Sequence, residues 1–127
     1  MRQFVPLLVE QQNLLYGLMT SRVDVKKTEF PSSSKQQSEF RKGQDPVALL
    51  LVWSPRERIK GTISLEIYDL NNAVVGRSAV GKLNLNKGDS YTQVYRFDTS
   101  PLKVGIYRVD VLQGSDPIWR GYFRLVQ

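Results

Sequence analysis

Apolar and polar residues alternate with a period of two through most of this chain, the spacing of strands with one buried face. Residues 22–30 read as a first strand with Val23 and Val25 on one face, followed by a polar loop over 31–38. Val47-Ala48-Leu49-Leu50-Leu51-Val52-Trp53 is apolar on both faces, as in a central strand covered on both sides, and Ser54-Pro55 stops it. In Thr62 to Tyr68 the residues Ile63, Leu65 and Ile67 point one way. Asp69-Leu70-Asn71-Asn72 then supplies asparagines that tolerate the left-handed conformation of tight hairpins. Ala73 to Val80 is the return strand, and the turn Asn86-Lys87-Gly88-Asp89 precedes another strand, Tyr91 to Phe97.

The last two segments, Ile106 to Leu112 and Ile118 to Val126, flank the loop Gln113-Gly114-Ser115-Asp116-Pro117. Folding this hairpin about Ser115 sets Val111 beside Trp119, Val109 beside Gly121 and Tyr107 beside Phe123, all facing inward. The outer face then pairs Asp110 with Arg120 and Arg108 with Tyr122. Opposite charges meet, and a guanidinium meets an aromatic ring, so two independent faces agree on one register.

Residues 4–20 depart from this period. Leu7, Leu8, Leu14, Leu15, Leu18 and Met19 recur at helical spacing, with Pro6 suited to a first turn. The pattern predicts an N-terminal helical segment over 1–21 and a β-domain over 22–127. The helix either covers an edge of the β-domain or docks a partner or a second copy through Leu14, Leu15 and Leu18. Seven strands with turns every eight to twelve residues make the fold all-β, a seven-stranded antiparallel sandwich with a short N-terminal helix.

Leu102-Lys103-Val104-Gly105-Ile106-Tyr107-Arg108-Val109-Asp110-Val111 resembles the penultimate strand of fibronectin type III and related immunoglobulin-like modules. Trp119-Arg120-Gly121-Tyr122-Phe123 resembles the closing strand of bacterial members of that group. The resemblance covers residues 22–127. It implies an immunoglobulin-like β-sandwich in which the Tyr107 hydroxyl is tied to nearby backbone and Trp53 is core. The cysteine pair of antibody domains is absent, so no disulfide staples the two sheets. Such a likeness names a fold and leaves function open.

Composition narrows the chemistry. The chain has 127 residues, 41% hydrophobic and 24% charged, with neither cysteine nor histidine. That removes zinc fingers, iron–sulfur sites, thiol catalysis and imidazole bases together. The net charge of +6 is spread: residues 1–46 carry seven cations and five acids, residues 47–127 eleven and seven. Its densest run, Arg56-Glu57-Arg58-Ile59-Lys60, reads as a solvated basic turn or as an anion site. No small-residue cleavage site follows the apolar stretch Phe4 to Val9, so no signal peptide is expected. The longest apolar run, Val47 to Trp53, falls far short of the ~20 residues that span a bilayer, so no membrane span is expected either. The compartment and oligomeric state stay open, and so does whether Met1 starts a full-length chain or an excised domain.

Gly76-Arg77-Ser78-Ala79-Val80-Gly81-Lys82 matches a phosphate-binding loop as far as its lysine. Leu83 stands where a magnesium-binding hydroxyl is needed, and strand and turn follow instead of a helix, which rejects the motif. Five of the twelve acids (Asp45, Asp69, Asp89, Asp98, Asp116) are read at turns, where they satisfy backbone amides. No catalytic, cofactor-binding or metal-binding residue is assigned, and no enzymatic activity is expected.

The outer face of the last hairpin remains. Arg108, Arg120, Tyr122 and Arg124 form a basic–aromatic stripe, rich in the residue types that anchor interfaces. The leading expectation is a non-catalytic module that binds or positions a protein partner, within a larger bacterial assembly. The competing expectation is a binder of anionic or sugar polymers, nucleic acid or polysaccharide, through the same stripe.

Overall fold

The computed structural model describes residues 14–21 and 38–127. The strand expected over 22–30 and the helical residues 4–13 lie outside the described residues. Eight strands are described: β1 (Leu14–Thr20), β2 (Glu39–Arg41), β3 (Val47–Trp53), β4 (Ile59–Tyr68), β5 (Val74–Leu85), β6 (Tyr91–Phe97), β7 (Gly105–Gln113) and β8 (Asp116–Val126). They form a three-stranded sheet ordered β1-β3-β6 and a five-stranded sheet ordered β2-β8-β7-β4-β5. The arrangement is all-β and sandwich-like. Both sheets supply the main core, Val47, Leu49, Leu51 and Trp53 from β3 meeting Ile63, Leu65, Val109, Val111, Phe123 and Leu125.

Every residue of β3 is buried, as its uninterrupted apolar run predicts. Trp53 is wholly inside, and its indole N–H donates to Gln93 Oε1 at 2.9 Å, so the one polar atom of the ring is satisfied. On the opposite face of β3, Leu50 and Val52 pack with Leu18 in a second buried cluster.

Residues 14–20 are not helical. They form β1, antiparallel to β3. The reason lies in the ambiguity of a continuous apolar run, which fits one face of a helix and equally a strand buried on both faces. Met19 joins the main core while Leu18 joins the second cluster, the alternation of a strand. Gly17, which weakens a strand reading from sequence, is needed for packing: a Cβ there would stand 2.5 Å from Cε2 of Trp119. A Cβ on Gly121 would collide with the other end of the same indole. Trp119 is thereby wedged between β1 of one sheet and its own strand in the other. It is half-buried, not fully buried as expected. Gly17→Ala and Gly121→Ala are each expected to lower stability by about 1–3 kcal/mol in urea melts, the usual cost of overpacking. The loss should shrink in a Trp119→Leu background, and equal losses in both backgrounds would contradict the wedge.

The last hairpin has the expected register: Tyr107 opposite Phe123, Arg108 opposite Tyr122, Val109 opposite Gly121, Asp110 opposite Arg120 and Val111 opposite Trp119. Its turn is tighter than expected. Gln113 pairs with Asp116 around a two-residue Gly114-Ser115 turn, with Gly114 at φ 61, and a bulge at Ile118 restores the register beyond it. The Tyr107 hydroxyl donates to the Lys103 carbonyl at 2.5 Å, the tie its sequence context implies. Asn72 takes φ 63 in the β4–β5 turn, where Asp69 Oδ1 accepts the N–H groups of Asn71 and Ala73. Asp45, Asp89 and Asp98 likewise accept backbone N–H groups at their turns.

Two further points differ from the expectation of seven antiparallel strands. A short strand, β2, is added, and it pairs with β8 in parallel. The segment 76–82 runs inside β5 with no helix after it, consistent with rejecting the phosphate loop. Among the described residues, no helix is long and apolar enough to cross a membrane.

Candidate functional site

The five-stranded sheet turns its inner face to the core, so the polar members of each alternating strand collect on its outer face. In β4 these are Ser64, Glu66 and Tyr68; in β7, Arg108 and Asp110; in β8, Arg120, Tyr122 and Arg124. The registers place Arg120, Asp110, Glu66 and Arg77 side by side across β8, β7, β4 and β5. In the next row Tyr122, Arg108 and Tyr68 stand abreast, and beyond them Arg124 sits beside Glu39 of β2.

Asp110 is the centre of this face. It is 5% exposed, and Arg120 grips both its oxygens, Nε to Oδ1 at 2.8 Å and Nη2 to Oδ2 at 3.0 Å. This two-point hydrogen bond raises the Arg120 pKa further and fixes the guanidinium plane. Arg108 approaches the same carboxylate, Nε to Oδ1 at 3.3 Å, without the alignment of a hydrogen bond. Its guanidinium carbon lies 4.1 Å from the ring centroid of Tyr68, within cation–π range. At one end of the ladder Arg77 donates to Glu66 at 2.9 Å, and at the other Arg124 reaches Glu39 at 4.0 Å.

Of the predicted stripe, then, Arg108 and Arg120 converge on one acid, Tyr122 is half-buried next to Arg108, and Arg124 stands apart and exposed. Leu18 is enclosed with Leu50 and Val52, while Leu14 and Leu15 belong to β1 and not to a helix. Hairpin reasoning misses Glu66, Tyr68 and Arg77, because they reach the site through the neighbouring strands β4 and β5. The alternation of residues 62–68 already turns Glu66 and Tyr68 away from the core, which is the signal that could have found them.

Two shallow hollows border the ladder. One, of about 520 Å³, opens over the small residues Ser64, Ser78 and Ala79 beside Glu66 and Arg77; the other, of about 220 Å³, lies among Glu39, Ile106, Tyr122 and Arg124. Among the described residues no group of three or more acidic side chains is placed to hold a metal ion.

Burial raises the pKa of Tyr68, Tyr107 and Tyr122, with Glu66 and Asp110 adding to the shift at Tyr68. The folded state therefore holds these phenol protons more tightly than the unfolded chain. Their stabilising contribution is complete below the ordinary tyrosine value of about 10 and is lost as pH rises through the folded values. Urea midpoints should fall between about pH 9 and about pH 11, with phenolate absorbance rising alongside unfolding. An unchanged midpoint would contradict the shifts.

No protein-family model and no curated protein matches the chain. Several solved structures share its fold. The C-terminal domain of wzt has a TM-score of 0.62 at 10% identity, over 93% of this chain and 75% of that one. The Pseudomonas fluorescens alkylpurine DNA glycosylase AlkC, bound to DNA containing an abasic site analog, has a TM-score of 0.58 at 14% identity over 71% of this chain. The Listeria innocua β-glucosidase in complex with glucose has a TM-score of 0.52 at 15% identity over 71% of this chain. This chain spans 28% of the glycosylase and 15% of the glucosidase. At these identities the likeness is one of fold alone.

Proposed function

We propose that this chain is a non-catalytic, immunoglobulin-like module that binds or positions a protein partner through the outer face of its five-stranded sheet. The Tyr107–Lys103 tie and the sandwich-like pairing of sheets support the immunoglobulin-like part. The observation that carries the binding part is the immobilisation of Arg108 and Arg120 on Asp110 beside Tyr68 and Tyr122. Side chains already ordered lose little entropy on docking, and arginine and tyrosine are the residues that anchor interfaces.

Charge balance favours a protein over a polymer at this face. Arg77, Arg108, Arg120 and Arg124 stand against Glu39, Glu66 and Asp110, a net of one positive charge. Phosphate binding through counterion release needs cations without local partners, and this ladder offers few.

The double variant Tyr122→Ser, Arg124→Glu tests the reading. Affinity for a partner isolated with the native chain should fall at least about 30-fold, the effect of losing a hot spot. Binding by the native chain should vary little between about 50 and about 200 mM salt. Unchanged affinity in the variant would remove this face from the account, and a steep salt dependence would favour the anionic-polymer reading.

A further inference from the structure

The same sheet carries a second charged region, of opposite character to the Asp110 ladder. Lys60 opens the outer face of β4 opposite Asn84, and Lys82 lies two pairs along on the same face, opposite Thr62. Diagonal neighbours of this kind stand about 7–8 Å apart at their Cα atoms. Arg58 donates to the Asn84 side chain at 3.2 Å, which holds its guanidinium at the residue opposite Lys60. The turn that follows β5 brings Lys87 to the same end of the sandwich, where the Gly88 N–H bonds to the Pro55 carbonyl. All four cations are exposed, and none of them has an acidic partner among the described residues. The nearest acids in sequence are Glu57 and Asp89, and Asp89 is turned back onto the Asn86 N–H. Tyr91, 45% exposed, begins β6 just after this turn.

We infer that Arg58, Lys60, Lys82 and Lys87 form a phosphate-binding surface for single-stranded nucleic acid, a site separate from the Asp110 ladder. Lysines without partners act as mobile point charges suited to phosphates, and their diagonal spacing is close to that of successive phosphates on an extended strand. Among the described residues, the register sets only the polar Thr62 and Asn84 beside Lys60 and Lys82 on this face, and lysine is depleted at protein interfaces, which disfavours an acidic protein. Tyr91 supplies a ring on which a base can stack.

The probe is a fluorescein-labelled oligothymidylate of about 20 nucleotides, followed by anisotropy. Three to four phosphate contacts give a salt slope of about −2 to −3, a loss of affinity of about 20–50-fold between 50 and 200 mM salt. Lys60→Glu with Lys82→Glu should abolish most binding and flatten the slope. Arg96→Glu with Lys103→Glu changes net charge equally on other parts of the surface and should leave most of the binding intact. Thermal melts confirm that both variants fold. Equal losses in the two variants would show attraction to net charge alone and overturn the site. So would absence of binding at 50 mM salt, or binding of heparin or polyglutamate but not of the oligonucleotide. None of these results bears on the protein-binding face, whose test uses other residues.

Discussion

Replacing Trp53 by alanine is expected to destabilise the protein by about 3–5 kcal/mol, read from urea midpoints at constant slope. The indole is wholly buried in the middle of the core, at the end of a strand whose neighbours β1 and β6 both pack beside it. Its removal leaves a cavity that rigid strands close only in part, and it also strips Gln93 of the donor for a buried oxygen. Trp53→Phe separates the two effects. It keeps most of the apolar volume and should cost about 1–3 kcal/mol for the unsatisfied carbonyl and the residual space. A loss under about 1 kcal/mol for the alanine variant would place the ring outside the core.

Asp110→Ala is the second large effect, at about 3 kcal/mol. The carboxylate sits between two guanidinium groups whose side chains are only 11% and 17% exposed, so deletion leaves two close positive charges without their counterion. Breaking a buried pair from one side costs about 3–5 kcal/mol, and the edge that both arginines keep to water argues for the lower end. Replacing all three residues by apolar ones of similar volume should restore much of the loss. A cost for Asp110→Ala below about 1 kcal/mol would mean that the arginines relax freely into solvent.

Much of the fold is legible in the sequence where local and long-range signals agree. The β7–β8 register follows from residues within one hairpin, since both faces of the ladder select the same pairing. Its turn does not, because a bulge at Ile118 and a two-residue turn give the same register as a longer loop. The apolar run of β3 reads correctly because it is only seven residues long and is bounded by Gly43 to Pro46 on one side and Ser54-Pro55 on the other. Leu14 to Met19 misleads because leucine at helical spacing is also leucine on both faces of a strand, and Gly17 hides its purpose until Trp119 is seen against it. β2 is three residues long and paired in parallel, too short to carry a period.

The candidate site divides along the same line. Arg108, Asp110, Arg120 and Tyr122 are found from the hairpin alone. Glu66, Tyr68 and Arg77 enter only once β4 is known to lie beside β7, a pairing of strands far apart in sequence that brings β5 along through its hairpin to β4. For the same reason the stripe looks more basic in the sequence than the face is in the fold. Its arginines meet acids from their own strand and from the strands directly beside it.

The central claim is that this outer face is fixed in advance by the Asp110 carboxylate. A double-mutant cycle between Asp110→Asn and Arg120→Met measures that directly, from four unfolding curves and with no partner required. The two-point hydrogen bond predicts a coupling of about 1.5–3 kcal/mol, the range for bonds to charged groups. A coupling below about 0.5 kcal/mol would mean that the arginine is held by solvent alone, and the face would then be no more ordered than any exposed sheet.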